Sequence, residues 1–475
     1  MQYLLVIVPI LGGLIALALP SDRFRPWLLP LCGFIHLTLV LTILIQGAPD
    51  PGGHWLGIDA LSRLLLLLIS LLFVSCAVYG VGYLRFRLAW GNRVFVTCLL
   101  FFLAAMSLAA LARHLGILWV AVEATTLASA PLIYYNRNRL SIEATWKYLL
   151  LCSVGIALAM LGILFVAYAA MPSDPISLQF DDMLREAAGY SRTWLRAGFV
   201  FLLIGFGTKV GFAPLHTWKP DAYGEAPGMV GALLAGGLTS VAFLALLRTM
   251  QIMIAAHEGV VAHQAFLIMG FVSLFFAAVF VIRQPDFKRL LAYSSVEHMG
   301  ILAIGVGIGG IATFGAMLHM MNNALTKGVL FLSAGNIHRR FNSKVASEVR
   351  GAVSVVPLSA CLFLAGFLAI TGSPPFGLFI SEFTILQGIF ATGHYAAGAY
   401  FLTMLAVIFI GMATTILTVV FGTPLEGRKQ TEYRDSWLTG GAPLFLLGLV
   451  LLMGIVLPEP VRRIFIDAAA LVEGL

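Results

Sequence analysis

The chain has 475 residues, of which 60% are hydrophobic and 11% charged, with a formal net charge of +7 and a mean hydropathy of +0.96. In ordinary soluble proteins about a quarter of residues are charged, so this composition excludes a soluble globular domain and indicates a polytopic, all-α membrane protein. The basic residues are spread over short loops rather than gathered in one patch, which argues against nucleic acid as a partner. The five cysteines (Cys32, Cys76, Cys98, Cys152, Cys361) fall singly in apolar segments, without iron–sulfur, zinc or disulfide spacing.

At roughly 20 apolar residues per crossing, about fourteen transmembrane helices are predicted, at residues 2–19, 27–46, 61–82, 94–112, 115–135, 146–170, 197–218, 228–248, 264–282, 290–309, 312–335, 357–379 (continuing to 392 after a break), 398–421 and 440–457. The first lacks a basic n-region and a cleavage pattern and is read as a retained helix. Loops after the odd-numbered helices hold 19 of the 29 lysines and arginines: Arg23, Arg25, Arg85, Arg87, Arg93, Arg137, Arg139, Lys147, Lys219, Arg283, Lys288, Arg289, Arg339, Arg340, Lys344, Arg350, Arg428, Lys429 and Arg434. The opposite side holds eight (Arg63, Arg113, Arg185, Arg192, Arg196, Arg248, Arg462, Arg463), leaving Lys209 and Lys327 at membrane depth. The positive-inside rule turns the odd loops to the cytoplasm and both termini outward. The long outer loop, 171–196, is either a short interfacial helix around Ser177–Ala188 or a solvated loop, and the tail from Pro458 is expected along the surface.

Few polar residues survive inside these segments, and each needs a partner or a task. In helix 5, Glu123 stands within Trp119-Val-Ala-Val-Glu-Ala-Thr-Thr. In helix 7, Ile204-Gly-Phe-Gly-Thr-Lys209-Val-Gly-Phe-Ala-Pro214-Leu-His216-Thr-Trp-Lys-Pro-Asp221 sets a lysine, a proline and a histidine in an apolar run. Pro214 removes a backbone donor, so this is read as a discontinuous helix, the alternative being a kinked helix whose lysine snorkels to the interface. Glu123 is either a neutral acid bonded to a neighbouring hydroxyl or the partner of Lys209 in a pair that opens and closes. Opening would strip the lysine of its counter-charge and favour release of its proton.

Helix 10 opens with Arg283-Gln-Pro-Asp286-Phe-Lys-Arg289, and Glu297 and His298 follow, either extending a half-channel or only capping it. In helix 11, His319, Asn323 and Lys327 are each four apart, so they form one stripe roughly 12 Å long at about 1.5 Å per residue. Helix 12 is interrupted at Thr371-Gly-Ser-Pro374-Pro375-Phe-Gly377, and Glu382 follows. Two adjacent prolines cannot continue a helical ladder, which makes a second discontinuous helix. The expected layout is helices 1–3 (residues 1–93), two inverted five-helix repeats (94–250 and 251–422) with breaks in helices 7 and 12, then helix 14 and the tail (423–475).

The stretches Lys209-Val-Gly-Phe-Ala-Pro-Leu-His-Thr-Trp-Lys-Pro-Asp-Ala, Phe287-Lys-Arg-Leu-Leu-Ala-Tyr-Ser-Ser, Leu318-His-Met-Met-Asn-Asn-Ala-Leu-Thr-Lys327 and Gly372-Ser-Pro-Pro-Phe resemble the antiporter-like membrane subunits shared by respiratory complex I, membrane-bound group 4 hydrogenases and Mrp sodium/proton antiporters. Ser-Val-Glu-His-Met-Gly and the Ser-Ala-Gly-Asn after Lys327 lean toward the hydrogenase-4 component F branch. The resemblance implies a proton pathway of Glu123, Lys209, His319, Lys327 and Glu382, supported by His216, Thr239, Ser240, Glu297, His298 and Asn323. Two positions depart from it: Ser240 stands about where many relatives carry a lysine, and Asn323 replaces a common histidine. The central axis then relies on Thr239, Ser240 and ordered water, or is broken.

The resemblance further implies a prokaryotic cytoplasmic (inner) membrane location. Partners would be further antiporter-like and quinone-binding-like membrane subunits, a cytoplasmic redox arm and the lipid bilayer. No cofactor or metal is expected on this chain; a NiFe centre, iron–sulfur clusters or quinone would belong to the partner subunits. Competing expectations are an Mrp-type antiporter moving sodium as well as protons, and a non-pumping scaffold for a redox or carbon-uptake partner. No nucleophile, metal cluster or nucleotide loop can be assembled from the short loops into a free-standing enzyme.

Overall fold

A computed structural model describes residues 1–46, 55–87, 90–171, 176–423 and 431–474, and these are almost wholly helical. Arg428 and Lys429 of the last inner loop lie outside the described residues. The helices are α1 (Leu4–Ala18), α2 (Leu28–Gln46), α3 (Ala60–Arg85), α4 (Arg93–Leu111), α5 (Leu115–Ile133), α6 (Arg139–Ala169), α7 (Phe180–Glu186), α8 (Arg192–Val210), α9 (Trp218–Glu225), α10 (Gly228–Ala232), α11 (Thr239–Ala255), α12 (Gly259–Val281), α13 (Phe287–Ile308), α14 (Ile311–Phe341), α15 (Ala352–Val355), α16 (Pro357–Ile370), α17 (Gly377–Ala391), α18 (Tyr395–Phe421), α19 (Trp437–Ile455) and α20 (Glu459–Glu473).

Each predicted segment coincides with one of these helices, except that 197–218 and 357–379 run over a break into the start of the next helix and 228–248 spans α10 and most of α11. Among the described residues, 11 helical stretches are long and apolar enough to cross a membrane, and α1, α16 and α17 are shorter apolar helices. The remaining long helix, α14, spans 31 residues and carries the polar file predicted for helix 11. Side chains start several helices where expected: Asp59 accepts from the Ser62 amide at 2.9 Å ahead of α3, and Asp286 accepts from the Lys288 and Arg289 amides ahead of α13. The segment before α8 contains the short helix α7, with Phe180 and Met183 buried, and the tail forms α20 against α3, α11 and α14.

The buried centre is formed by α3, α11, α13 and α14, with α14 touching α3, α10, α13, α16, α17, α19 and α20. Around it, α1, α2, α6, α12 and α18 turn exposed Leu, Ile and Phe side chains outward, such as Leu14, Phe34, Leu150, Ile268 and Ile410. Such a surface suits hydrocarbon, where helices pair through close backbone approach rather than through apolar burial. The α12–α13 crossing is of this kind: a side-chain carbon on Gly270 would lie 2.8 Å from the Gly300 carbonyl oxygen.

Polar contacts divide the loops into two sets. On one face Arg113 joins Asp59 (3.1 Å) to Asp181 (2.5 Å), Arg248 reaches Asp59 at 2.6 Å, Arg196 pairs with Glu258 at 2.8 Å, and Glu473 accepts from the Gly310 amide at 3.2 Å. On the other, Arg25 meets Asn92, Arg87 meets Asn136, Asp221 binds both Lys147 and Arg289, and Lys344 bridges Glu225 and Asp286. The loops after odd-numbered and after even-numbered segments therefore gather on opposite faces.

Candidate functional site

Helix α8 ends at Gly211, whose φ of +77° breaks the ladder just after Lys209. The chain crosses the break through Pro214 and His216 and resumes helix at Trp218, whose indole Nε1 donates to the Thr208 carbonyl at 2.9 Å and ties the two halves together. The Ala213 amide is held by Ser273 Oγ at 3.0 Å. His216 is packed among the rings of Phe276, Phe280 and Tyr293, and its Nδ1 has no partner among the described residues.

Lys209 and Glu123 do not meet directly. Lys209 Nζ donates to Thr126 Oγ1 at 2.5 Å and to the Tyr148 hydroxyl at 3.1 Å, and Thr126 Oγ1 in turn donates to Glu123 Oε2 at 2.9 Å. Thr126 thus stands between the acid and the base, so both readings of Glu123 are represented: it is bonded to a hydroxyl, and that hydroxyl leads to the lysine. Lys209 also lies over the Tyr148 ring, 5.0 Å from its centroid. The ammonium is buried and does not snorkel.

One lysine expected in an inner loop lies elsewhere. Lys219 is wholly buried, folded back into the break of helix 7, with Nζ 6.0 Å from the Tyr223 ring centroid and no hydrogen-bond partner among the described residues. It feels the charge of Lys327. Its position after a proline break suggests a loop, but residues inside a broken helix remain at membrane depth when they line the bundle interior. Lys288 is likewise buried, its Nζ donating to the Gly224 and Ala226 carbonyls.

Helix α10 passes through one π-helical stretch, Leu233–Leu238, into α11. This stretch presses against α14: a side-chain carbon on Gly236 would lie 2.9 Å from the Ala324 carbonyl oxygen. Insertions of this kind recur at functional sites. Thr239 and Ser240 follow it, and both hydroxyls donate to their own helix, to Ala235 and Gly236 at 2.6 Å each.

Along α14, His319, Asn323 and Lys327 are all buried, with Asn322 beside them. Lys327 Nζ donates to the Leu291 carbonyl at 3.2 Å and interacts with the Glu297 carboxylate. Neither polar atom of the Asn323 side chain finds a partner among the described residues. Glu297 and His298 are not a cap, since Asp286 has that place; they lie well inside α13 and are buried. Ser294 Oγ donates to Glu297 Oε2 at 3.2 Å, and His298 Nδ1 lies 3.0 Å from His319 Nε2. On its other side, His319 Nδ1 is 3.0 Å from Ser381 Oγ, next to Glu382. Glu382 lies against Gly372 in the second break, whose φ is +66°.

Of the predicted residues, Glu123 and Lys209 form one group with Thr126 and Tyr148, and Glu297, Lys327, His298, His319 and Glu382 form a second with Ser381; His216, Thr239, Ser240 and Asn323 are buried outside both groups, and so is Lys219. Thr126, Tyr148, Ser381 and Lys219 were missed. Three of these are hydroxyls, common in any helix; for Lys219 the flanking Pro214 and Pro220 were the available signal. Buried atoms on His216, Lys219, Asn322, Asn323, His298 and Glu382 have no partner among the described residues, and such groups call for water or an ion.

Residues 112–411 match the family described as NADH:quinone oxidoreductase/Mrp antiporter, transmembrane. The chain is 32% identical over 429 residues to the hydrogenase-4 component F homolog of Methylacidiphilum infernorum, covering 88% of this chain and 90% of that one. Its fold is that of a subunit of the archaeal membrane-bound sulfane sulfur reductase (TM-score 0.88, 20% identity, 99% and 97% of the two chains). The same holds for a chain of the Mrp complex of Dietzia sp. (TM-score 0.86, 18% identity, 99% and 97%).

Proposed function

The chain belongs to the NADH:quinone oxidoreductase/Mrp antiporter transmembrane family, and we propose that it is the proton-translocating, antiporter-like membrane subunit of a redox-driven complex of the hydrogenase-4 type. It is a polytopic membrane protein whose family serves in complexes that carry their cofactors on other subunits. A NiFe centre, iron–sulfur clusters or quinone are assigned to those partners, together with a cytoplasmic redox arm. We assign fourteen crossings in a prokaryotic inner membrane, both termini outside, with two inverted repeats at 94–250 and 251–422.

One observation supports this reading: buried titratable side chains stand at both helix breaks, and those of His216, Lys219, His298 and Glu382 carry polar atoms without a partner among the described residues. In the proposed path Glu123 and Lys209 are the coupled pair, held together through Thr126. When that contact opens, Lys209 loses its counter-charge and yields its proton toward Lys219, because an ammonium stripped of its partner in low dielectric is strongly disfavoured. Lys219 takes the central place that Ser240 leaves without a lysine. From there the proton reaches Lys327, then His298 and His319, and Glu382 as the terminal carrier. His216, Asn323, Thr239 and Ser240 support water along the route. The redox signal enters at the Glu123–Lys209 pair as an electrostatic or hydration change from the neighbouring subunit.

Redox-driven proton uptake by proteoliposomes holding the intact complex tests this. Lys209→Ala and Glu123→Gln should each abolish uptake while electron transfer to an artificial acceptor continues. Unchanged uptake would favour the scaffold reading, and uptake that requires sodium would favour the Mrp-type antiporter.

A further inference from the structure

We propose that His298, His319 and Glu382 form a binding site for a zinc-like divalent transition-metal ion, and that an ion bound there closes the proton path. The three residues come from α13, α14 and α17, and one ligand atom from each lies within 4.8 Å of the other two, all buried. They are distant in sequence, which is why spacing alone gave no metal site.

Two independent features point to a ligand. Glu382 Oε1 is buried without a partner among the described residues, and His298 Nδ1 and His319 Nε2, which share a hydrogen bond at 3.0 Å, bring two imidazole nitrogens to one point. A tetrahedral ion with bonds of about 2.0–2.1 Å to nitrogen needs neighbouring ligand atoms about 3.3 Å apart. The histidines meet this with a small shift, and Glu382 meets it by swinging in from Gly372, where the missing side chain leaves its carboxylate room. Two histidines and a carboxylate leave a fourth position open for water.

The surroundings complete the site. When His319 Nε2 binds the ion, its Nδ1–H donates to Ser381 Oγ, 3.0 Å away. When His298 Nδ1 binds, its Nε2–H turns toward Glu297 Oε2, 3.8 Å away. Each histidine so gains the outer partner that fixes its tautomer in metal sites. Glu382 and Glu297 together supply two negative charges against the ion's two positive ones. Imidazole ligands select zinc-like ions over sodium, magnesium and calcium. With the ion in place neither histidine can pass a proton and Glu382 is no longer a free base.

The test is binding, which stands apart from pumping. The full chain, purified into nanodiscs, is dialysed against zinc and its metal content measured, and cobalt(II) is used as a coordination probe. Wild type and His263→Gln should retain one zinc ion per chain and show the intense visible absorption of tetrahedral cobalt. His319→Ala and Glu382→Gln should lose both signals while eluting as the same monodisperse species. The milder Ser381→Ala should weaken zinc binding by about 10–100-fold. Absence of tetrahedral cobalt in wild type, zinc content unchanged in the ligand variants, or unaltered affinity in Ser381→Ala would each overturn the proposal.

Discussion

Lys219 fills the space in which a side chain on Gly211 would stand: a carbon added there would lie 2.6 Å from Lys219 Cδ and 2.8 Å from its Nζ. The glycine both ends α8 and makes room for the ammonium inside the break. Gly211→Ala therefore meets two obstacles, the crowding and a φ of +77° that costs a residue with a side chain about 1–3 kcal/mol. The expected outcome is proton uptake slowed by about tenfold or more. Gly189→Ala, where an added carbon meets nothing within 4 Å, serves as the control. Uptake rates of the two variants in proteoliposomes check this.

Thr126 bridges the proposed coupled pair with one hydroxyl. Hydrogen bonds to charged groups are worth about 1.5–3 kcal/mol, so Thr126→Val should reduce redox-driven uptake by about ten- to a hundredfold. Thr126→Ser keeps the hydroxyl and should restore most of it. Equal rates in the two variants would mean that Glu123 and Lys209 communicate by another route.

On the loop face, Asp59 joins Arg113 and Arg248 and starts α3. Burial opposes its charge, but Arg248, the Ser62 amide and Arg113 outweigh burial and hold the carboxyl below its ordinary value of 3.8. A depressed carboxyl contributes stability above its unfolded value, and that stability is lost as the pH falls through the folded one. Asp59→Asn strands two arginines and should destabilise the chain by about 3 kcal/mol near neutral pH. The deficit should shrink below about pH 4, where the wild-type carboxylate is itself protonated in the unfolded chain. Thermal unfolding in detergent at neutral and acid pH measures both.

Much of the fold was legible because hydrocarbon leaves few choices: runs of about 20 apolar residues become helices, and Pro214 and Pro374-Pro375 interrupt them. The His319–Asn323–Lys327 file followed from helical periodicity alone. What escaped depended on three-dimensional meeting. Lys219 was read as a loop residue because a break in a helix looks the same in sequence whether the chain leaves the membrane or stays within it. The Thr126 bridge and the His298–His319–Ser381 contacts each join different helices, and no spacing within one helix encodes them. Lys147 and Lys344, both expected in loops after odd-numbered helices, join ion pairs on one face.

The continuity of the proposed path rests on Lys219, and its substitution is the most direct test. Redox-driven proton uptake should be compared in proteoliposomes of the intact complex carrying wild type or Lys219→Met, with electron transfer to an artificial acceptor measured alongside. Uptake should fall by about two orders of magnitude or more in Lys219→Met, the usual worth of a positioned acid–base group, while electron transfer continues. Uptake at the wild-type rate in Lys219→Met would contradict the proposed path.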